Sequence, residues 1–172
     1  MGAQSTSNNK VRMEKHVSPE AYKYAPPNVR TALTQRHCEL PQPSQMEGLR
    51  TNVVSGAFAV RGQTDWAALC ILPDGSARAL IFWGKSGPQP CASEIHHGWA
   101  LTNEGSSELP RQHSLVTQRA KQLLIYRKYF GDSNANPVDH DGLEVNLQIG
   151  NEDSSLIYYC YQGKWLELQG ND

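Results

Sequence analysis

The chain has 172 residues and a formal net charge of −1, from 16 Lys and Arg against 17 Asp and Glu. This length suits one domain built around a single hydrophobic core. The near-neutral charge excludes the broad basic footprint that nucleic acid or an anionic membrane requires. No stretch approaches the ~20 consecutive apolar residues of a membrane span, so we expect no transmembrane segment.

The first 25 residues predict a flexible N-terminal tail ahead of a single domain at residues 26–172. MGAQSTSNNK lacks the apolar run of a signal peptide, and we expect Met1-Gly2 to precede a mature end at Ala3 or Gln4 after signal removal. The alternative is myristoylation at Gly2, because MGAQST matches the M-G-x-x-x-[ST] pattern. The chain has no N-x-[ST] sequon, which favours a bacterial exported protein over a glycosylated eukaryotic one.

A first helix is predicted to begin at Pro27, because proline suits the first turn of a helix. Val29, Ala32 and Leu33 then share one helical face, at i, i+3 and i+4. The helix should end near Cys38, since the loop residues ELPQPSQMEG follow.

Three strand-like runs come next, at Asn52–Val60, Asp65–Leu72 and Ala77–Trp83. The Asp74-Gly75 step between the second and third runs is a strong hairpin signal. We therefore predict that the three strands form an antiparallel meander.

The segment from Gly84 to Pro110 is polar and rich in turn residues, and we predict that it is irregular. A second helix is predicted over Leu115–Phe130 with Gly131 as its C-terminal stop. Its inward stripe is Val116, Ala120, Leu123, Leu124 and Phe130.

The end of the chain predicts strands again. Leu143–Ile149 alternates with a period of two, and Leu156–Tyr161 and Lys164–Leu168 flank a tight hairpin at Gln162-Gly163. The predicted fold class is α+β, a mostly antiparallel sheet of about six strands with two helices packed on one face.

Four cysteines, Cys38, Cys70, Cys91 and Cys160, are far apart in the chain and indicate two disulfides, hence an oxidising compartment. Three pairings are possible, and the sequence alone cannot choose among them. We favour Cys38 with Cys70 and Cys91 with Cys160, because each bridge then joins a loop-rich segment to a strand. The alternatives are a structural zinc site, which usually needs cysteines in close pairs, and four free buried thiols.

Residues 56–85 and 136–165 are two similar segments, each with a polar turn, an acid, an apolar strand and an aromatic-rich strand. In outline they resemble the FG-GAP and VCBS repeats, which form the blades of calcium-binding β-propellers in exported and adhesive proteins. The pattern also resembles small exported bacterial proteins of unknown function. The resemblance rests on Gly56, Phe58, Gly62, Asp65 and Gly84 in the first segment and on Asp139, Asp141, Gly142 and Glu144 in the second. It implies a related strand–turn–strand unit, although two units cannot close a propeller and the loop RGQT lacks the repeated aspartates.

The segment GDSNANPVDHDGLE is the best candidate for a metal site. Hard oxygen ligands are those that calcium prefers, six to eight of them. The candidate ligands are Asp132, Asn134, Asn136, Asp139, Asp141 and Glu144. The alternative is a solvated turn, because Asn, Asp, Gly and Pro build turns without a metal.

Candidate partner-binding residues are the loop residues His96, His97 and Trp99 and the strand residues Tyr159 and Tyr161. Tyr158 and Cys160 should face one side of their strand, with Tyr159 and Tyr161 on the other. Exposed aromatic side chains mark recognition surfaces, whereas the alternative is that they fill the core.

Catalysis has little support, because the chain has no G-x-S-x-G motif and disulfide-bonded cysteines cannot act as nucleophiles. A hydrolase would have to draw its acids from Glu94, Asp139, Asp141 or Glu144. We therefore predict an exported, periplasmic or secreted, non-enzymatic binding module whose partner is a protein or a cell-envelope polymer. The alternatives are a structural domain stabilised by calcium and a hydrolase.

Overall fold

The computed structural model describes residues 14–43, 51–85, 89–100, 111–130, 138–149 and 152–170. Within these ranges the chain forms ten strands, two α-helices and a 3-10 helix at Pro19–Ala21. The helices are α1 (Pro27–Gln35) and α2 (Ala120–Phe130). The strands are β1 (Lys15–Val17), β2 (Leu40–Gln42), β3 (Val53–Gly56), β4 (Asp65–Ile71), β5 (Ser76–Phe82), β6 (Glu94–Ala100), β7 (Arg111–Gln118), β8 (Gly142–Ile149), β9 (Glu152–Tyr161) and β10 (Lys164–Gln169).

The strands are divided among three antiparallel sheets rather than one. Sheet I has the order β3-β4-β5-β6, sheet II has the order β10-β9-β8-β7, and β1 pairs with β2 alone. The α+β class and the predominantly antiparallel pairing are confirmed. The expected single sheet of about six strands is wrong, because periodicity identifies strands but not the sheet to which each one belongs.

Two sheet faces meet in a central core, and each helix covers one of the outer faces. Leu69 and Ile81 of sheet I and Leu115 and Val145 of sheet II lie in this central core. Helix α1 packs Val29 and Leu33 against the outer face of sheet I, while α2 packs Leu123 and Tyr126 against the outer face of sheet II. The alternation of strand side chains explains this four-layer order: β4, β5 and β9 each supply the central core from one set of alternate positions and an outer core from the other set. The expectation that both helices share one face is therefore wrong.

Part of the segment that was expected to be a flexible tail belongs to the fold. Residues 14–25 include β1, which pairs with β2, and the fully buried side chain of Tyr22. The hydroxyl of Tyr24 donates to the carbonyl of Val53 at 2.8 Å. The two tyrosines do pack on the domain, and residues 1–13 lie outside the described ranges.

The second helix is shorter than predicted, because residues 115–118 belong to strand β7. Leu115 pairs with Val145 and Val116 with Glu144 in the β7–β8 ladder. β-Branched Val116 and Thr117 favour a strand, and pairing with β8 outweighs the helical spacing of the apolar residues. Leu124, which was expected to face inward, is 36 % exposed, whereas the side chain of Phe130 lies outside the described part.

The segment Gly84–Pro110 is not irregular throughout, because it contains strand β6. Ile95 is buried opposite Ala79 of β5, and His96 lies opposite Arg78. Ile95 lies between polar neighbours and Gly98 interrupts the run before Trp99, so the alternation is too weak to predict a strand. Residues 86–88 and 101–110 lie outside the described part of the chain.

Asn52 links all three sheets at one edge. Its side-chain amide donates to the carbonyls of Pro41 and His113, and its side-chain oxygen accepts from the amide of Leu115. The residue is fully buried and has a φ of 71°. Asparagine tolerates this left-handed conformation better than other residues with a Cβ do, and it satisfies three backbone groups there.

We expect Asn52→Gly to lower the free energy of unfolding by about 2–4 kcal/mol, because buried backbone groups lose their partners. Asn52→Ala should cost about 1 kcal/mol more, since alanine also bears the strain of a left-handed residue. Urea unfolding of both variants measures the two effects. Stabilities within about 0.5 kcal/mol of the parent protein would contradict this role, since surface changes have effects of that size.

Candidate functional site

The structure pairs Cys38 with Cys70 and Cys91 with Cys160, as predicted, and leaves no free cysteine. The zinc and free-thiol alternatives are therefore excluded. The first bridge joins the segment after α1 to strand β4, and the second joins the segment before β6 to strand β9. Both crosslinks thus connect a loop to the interior of a sheet.

The residues of the first repeat-like segment converge on the buried carboxylate of Asp65. It accepts hydrogen bonds from the amide of Phe58 at 3.0 Å, from the amide of Gly84 at 2.8 Å and from the side chain of Gln63. A Cβ at Gly84 would lie 1.9 Å from the carbonyl oxygen of Thr64, so only glycine allows this approach. Asp65 therefore closes the turns at one end of sheet I, and its oxygens are occupied by the protein.

Asp141 joins the second repeat-like segment to the first. Its amide donates to the carbonyl of Ala57 at 2.7 Å, and its carboxylate accepts from the amide of Ala57 at 3.1 Å. The same carboxylate accepts from the amide of Ala120 at 3.1 Å and from the guanidinium of Arg119 at 3.0 Å. A carboxylate suits the first turn of α2, where backbone amides lack partners within the helix.

The carboxylate of Glu144 is buried between neighbouring strands of sheet II. It accepts from the hydroxyl of Ser155 at 2.6 Å and from the side-chain amide of Gln118. It is therefore held inside the sheet by two neighbouring strands rather than presented to a ligand.

A cleft lies beside the β9–β10 hairpin, at the end of the molecule where Cys91 and Cys160 are joined. We call it the hairpin cleft. It has a volume of about 310 Å³, and six of the residues that line it are Ala59, Pro90, Val138, Asp139, His140 and Tyr161. Its lining also includes Cys160 and the hairpin residues Gln162 and Gly163, whose φ angles are 49° and 81°. Asp139, Tyr161 and Cys160, which were predicted for metal binding, for partner binding and for a disulfide, all line this cleft.

Two contacts fix the walls of the hairpin cleft against each other. The Cys91–Cys160 bridge joins the segment after Pro90 to the strand that precedes the hairpin. The indole of Trp165, on β10, donates to the carbonyl of Ala92 at 2.8 Å, and its ring stacks on Trp83 with a centroid distance of 6.0 Å. The disulfide and the hydrogen bond of Trp165 therefore hold the walls of the recess in place before a ligand binds.

His140 has one ring nitrogen bound to the protein and one available. The Nδ1 atom lies 3.0 Å from the carbonyl oxygen of Asp141. A carbonyl only accepts, so Nδ1 carries a proton, and in the neutral ring Nε2 is an acceptor. The residue is 6 % exposed, and Nε2 is not among the buried polar atoms of the described chain that lack a partner. Because no hydrogen bond occupies Nε2 in this part of the chain, we infer that it faces the open space of the cleft.

Asp139 supplies the only formal charge of the cleft lining within the described ranges. Its side chain is exposed, and none of the hydrogen bonds or ion pairs of those ranges involves its carboxylate. The neighbouring side chain of Gln162 donates to the hydroxyl of Tyr161 at 3.4 Å, and the ring of Tyr161 is half-buried. The cleft thus combines a carboxylate, an imidazole acceptor and an aromatic ring.

The six predicted calcium ligands are only partly described. Asp132, Asn134 and Asn136 lie outside the described ranges. The carboxylate oxygens of Asp141 and Glu144 accept hydrogen bonds from other residues of the protein, whereas those of Asp139 accept none within the described ranges. Among residues with assigned positions, no three His, Cys, Asp or Glu side chains are arranged to hold a metal. The calcium site stays a prediction that rests on Asp139 and the preceding loop.

Three of the five predicted partner-binding residues have described side chains, and these three do not share one surface. His96 is exposed and lies beside Arg78, whereas the side chains of His97 and Trp99 are outside the described part. Tyr159 is buried beneath α2, with the guanidinium of Arg127 5.0 Å from its ring centroid, so its predicted role at an exposed surface is wrong. Tyr161 reaches the hairpin cleft.

The faces of β9 alternate as expected, but both tyrosine sets pack in a core. Tyr158 lies between the sheets, and Tyr159 and Tyr161 belong to the cluster under α2. Burial, with Glu167 beside it, raises the pKa of the Tyr158 phenol well above its usual range, so the side chain stays protonated.

The fourth candidate acid, Glu94, is held by two arginines. It accepts from Arg78 at 2.8 Å and from Arg36 at 3.4 Å. Of the four acids considered for hydrolysis, Asp139 alone is without such a contact in the described part of the chain.

Sequence reasoning missed His140 and Gln162 as parts of the site. His140 lies between two aspartates in the segment DHD, which was interpreted as a source of oxygen ligands only. Gln162 was interpreted only as a turn residue. The sequence shows a histidine in a loop and, about twenty residues later, a hairpin next to a cysteine. That the two lie side by side is visible only in the fold.

Searches against protein-family models, curated proteins and solved structures found no match to this chain. Within the described ranges, no helix has the length and apolar character needed to cross a membrane.

We expect the two disulfides to contribute similarly to stability but differently to the cleft. They span separations of 32 and 69 residues, so Cys38→Ser/Cys70→Ser and Cys91→Ser/Cys160→Ser should each cost about 4 kcal/mol in the chain-entropy model. Only the second variant should speed amide exchange near residues 90–92 and 161–164. Urea unfolding and hydrogen exchange measure the two effects, and alkylation of all four cysteines in the unreduced protein would contradict both.

If calcium binds beside Asp139, it should raise the melting temperature. A concentration one hundred times the Kd adds about 2.7 kcal/mol, or roughly 5–10 °C for a chain of this size. Asp139→Asn should abolish the shift, whereas Asp153→Asn, an equal change of charge at an exposed position on β9, should keep it. A thermal scan in calcium and in EDTA makes the comparison. Equal melting temperatures in saturating calcium and in EDTA would remove this site.

Proposed function

We propose that the protein is a non-enzymatic binding module of the periplasm or the extracellular space, and that the hairpin cleft receives its ligand. The observation that carries this proposal is the combination of crosslinked walls with polar groups that have no protein partner. Asp139 and Nε2 of His140 lack contacts within the described chain, whereas Asp65, Asp141 and Glu144 have several. Both groups belong to residues that line the recess and neither is paired with the protein in this part of the chain, so each can bond to a ligand that enters the cleft.

The size of the cleft supports a group rather than an extended polymer as its occupant. At about 310 Å³, the cleft is at the small end of the range of roughly 300–1,000 Å³ for ligand sites. A protein or cell-envelope polymer would therefore insert one side chain or one terminal group. The remaining contact with such a partner would lie on the surface around the hairpin.

Two disulfides support an oxidising compartment, because reducing systems keep thiols free in the cytosol. We infer that the protein is exported, which fits a cleft whose wall includes the disulfide-bonded Cys160. A cleft whose wall contains a disulfide would thus keep its shape outside the cytosol.

The contacts of the carboxylates favour binding over hydrolysis. Two-carboxylate hydrolysis needs one acid and one base that both reach the substrate. Glu94, Asp141 and Glu144 are each held by arginine, amide or hydroxyl donors of the protein. A single available carboxylate suits recognition of a ligand.

We expect small ligands to perturb a compact set of amide resonances around the hairpin cleft. A panel of neutral sugars, amines and carboxylates, titrated into nitrogen-15-labelled protein, should shift residues 138–141 and 160–163 first. Ala59→Trp should block binding because Ala59 lines the cleft, whereas Val60→Trp, at the exposed neighbour, should not. Shifts elsewhere, or unchanged binding by Ala59→Trp, would contradict the proposal.

A further inference from the structure

We propose that the hairpin cleft recognises a basic side chain of a peptide or protein, that is, an alkylammonium or guanidinium group on an aliphatic stem. This inference rests on the proposed function and specifies its ligand class. It depends on three properties of the cleft: its charge, its acceptors and the chemistry of its walls.

The charge of the lining favours a cation. Asp139 carries a full negative charge, and of the described residues no Lys or Arg lines the cleft. A phosphate or carboxylate ligand would meet a like charge at Asp139. A neutral ligand would displace water from the carboxylate without supplying a counter-charge. An ammonium or guanidinium group avoids the repulsion and supplies the counter-charge to the carboxylate of Asp139.

The imidazole adds an acceptor that a cationic donor can use. Nδ1 of His140 donates to the carbonyl of Asp141, which leaves Nε2 of the neutral ring able only to accept. Ammonium and guanidinium groups carry several N–H donors and no acceptor. The acceptor Nε2 of His140 is therefore complementary to the N–H donors of the cationic ligand.

The aromatic ring of Tyr161 adds a third attraction. Cations are drawn to the face of an aromatic ring within about 6 Å of its centroid. The same face of β9 already provides such a contact, because the guanidinium of Arg127 lies 5.0 Å from the ring centroid of Tyr159, two residues before Tyr161. Tyr161 lines the cleft.

The remaining walls explain why the ligand should be a side chain rather than a free inorganic cation. Ala59, Pro90 and Val138 are apolar and line the same recess. The methylene stem of Lys or Arg pairs with apolar surface of this kind while its charged end seeks a polar partner. A volume of about 310 Å³ also exceeds what a single ion needs, since one water takes about 30 Å³ in the liquid.

The test compares amides of basic amino acids with neutral analogues by nitrogen-15 NMR titration in EDTA, which removes calcium. The probes are the methylamides of N-acetyl-lysine and N-acetyl-arginine. The uncharged controls are the methylamides of N-acetyl-norleucine and N-acetyl-citrulline. We expect the charged probes to shift residues 138–141 and 160–163 and to bind about tenfold more tightly than the controls, as one lost charge contact allows.

Matched variants locate the interaction. Asp139→Asn should weaken binding of the lysine probe about tenfold, whereas Asp153→Asn, an exposed carboxylate elsewhere on β9, should leave it unchanged. Tyr161→Phe keeps the ring and should retain binding, and Tyr161→Leu should weaken it about threefold. Amide spectra of the free variants check that each one folds.

The other outcomes separate this inference from the proposed function. If glucosamine, a neutral sugar or a carboxylate binds in the cleft more tightly than the basic probes, the cleft remains a binding site but the basic side chain is excluded. Equal affinity of the charged and neutral probes, or binding that Asp139→Asn does not weaken, also overturns the inference alone. If no probe shifts cleft residues, both proposals fail.

Discussion

The carboxylate of Asp141 holds together the end of the molecule on which the cleft depends. It connects Ala57, just after β3 of sheet I, to the first turn of α2, and it lies directly before β8 of sheet II. Hydrogen bonds to a charged group contribute about 1.5–3 kcal/mol each, which offsets the cost of burying the charge. The carbonyl of the same residue orients His140, and Asp139 precedes it. A change in Asp141 would therefore alter the sandwich and the cleft together.

The sequence predicts individual elements of this fold better than it predicts their arrangement. Strands β4, β5, β8, β9 and β10 and helix α1 follow from alternation, from 3.6-residue spacing and from turn residues. Strand β7 does not, since its spacing also suits a helix and its pairing with β8 decides the outcome. The division into two sheets depends on which face of each strand meets the other sheet. Asn52 contributes to that division through contacts up to 63 residues away in sequence, which no local pattern contains.

For the site, as for the fold, the sequence predicts the parts better than their arrangement. The residue types can be recognised from the sequence, because carboxylates bind metal ions and exposed aromatic rings mark recognition surfaces, but the directions of the side chains cannot. Asp141 and Glu144 looked like ligands for an external ion, whereas they accept from Ala120 and Ser155. A carboxylate that binds an ion and one that caps a helix have the same sequence signature, since both need only an acid in a turn. The disulfide pairing was predicted correctly, although a bridge between a loop and a strand would also fit Cys38 with Cys160 and Cys70 with Cys91, so only the fold decides between the two.

The shape of the hairpin cleft depends on the Cys91–Cys160 bridge, and the bridge persists only in an oxidising compartment. Ordering a loop when a ligand arrives costs free energy that would otherwise appear as affinity, and a preformed recess avoids much of that cost. In this chain the segment at Pro90 is held against the hairpin by the bridge and by the bond from Trp165 to Ala92. Reduction would leave one hydrogen bond and apolar contacts to keep the wall in place. A small recess has few atoms with which to attract a ligand, so it depends strongly on this preorganisation. If the cleft binds a ligand as proposed, it would therefore lose affinity in a reducing compartment before the fold lost its cores.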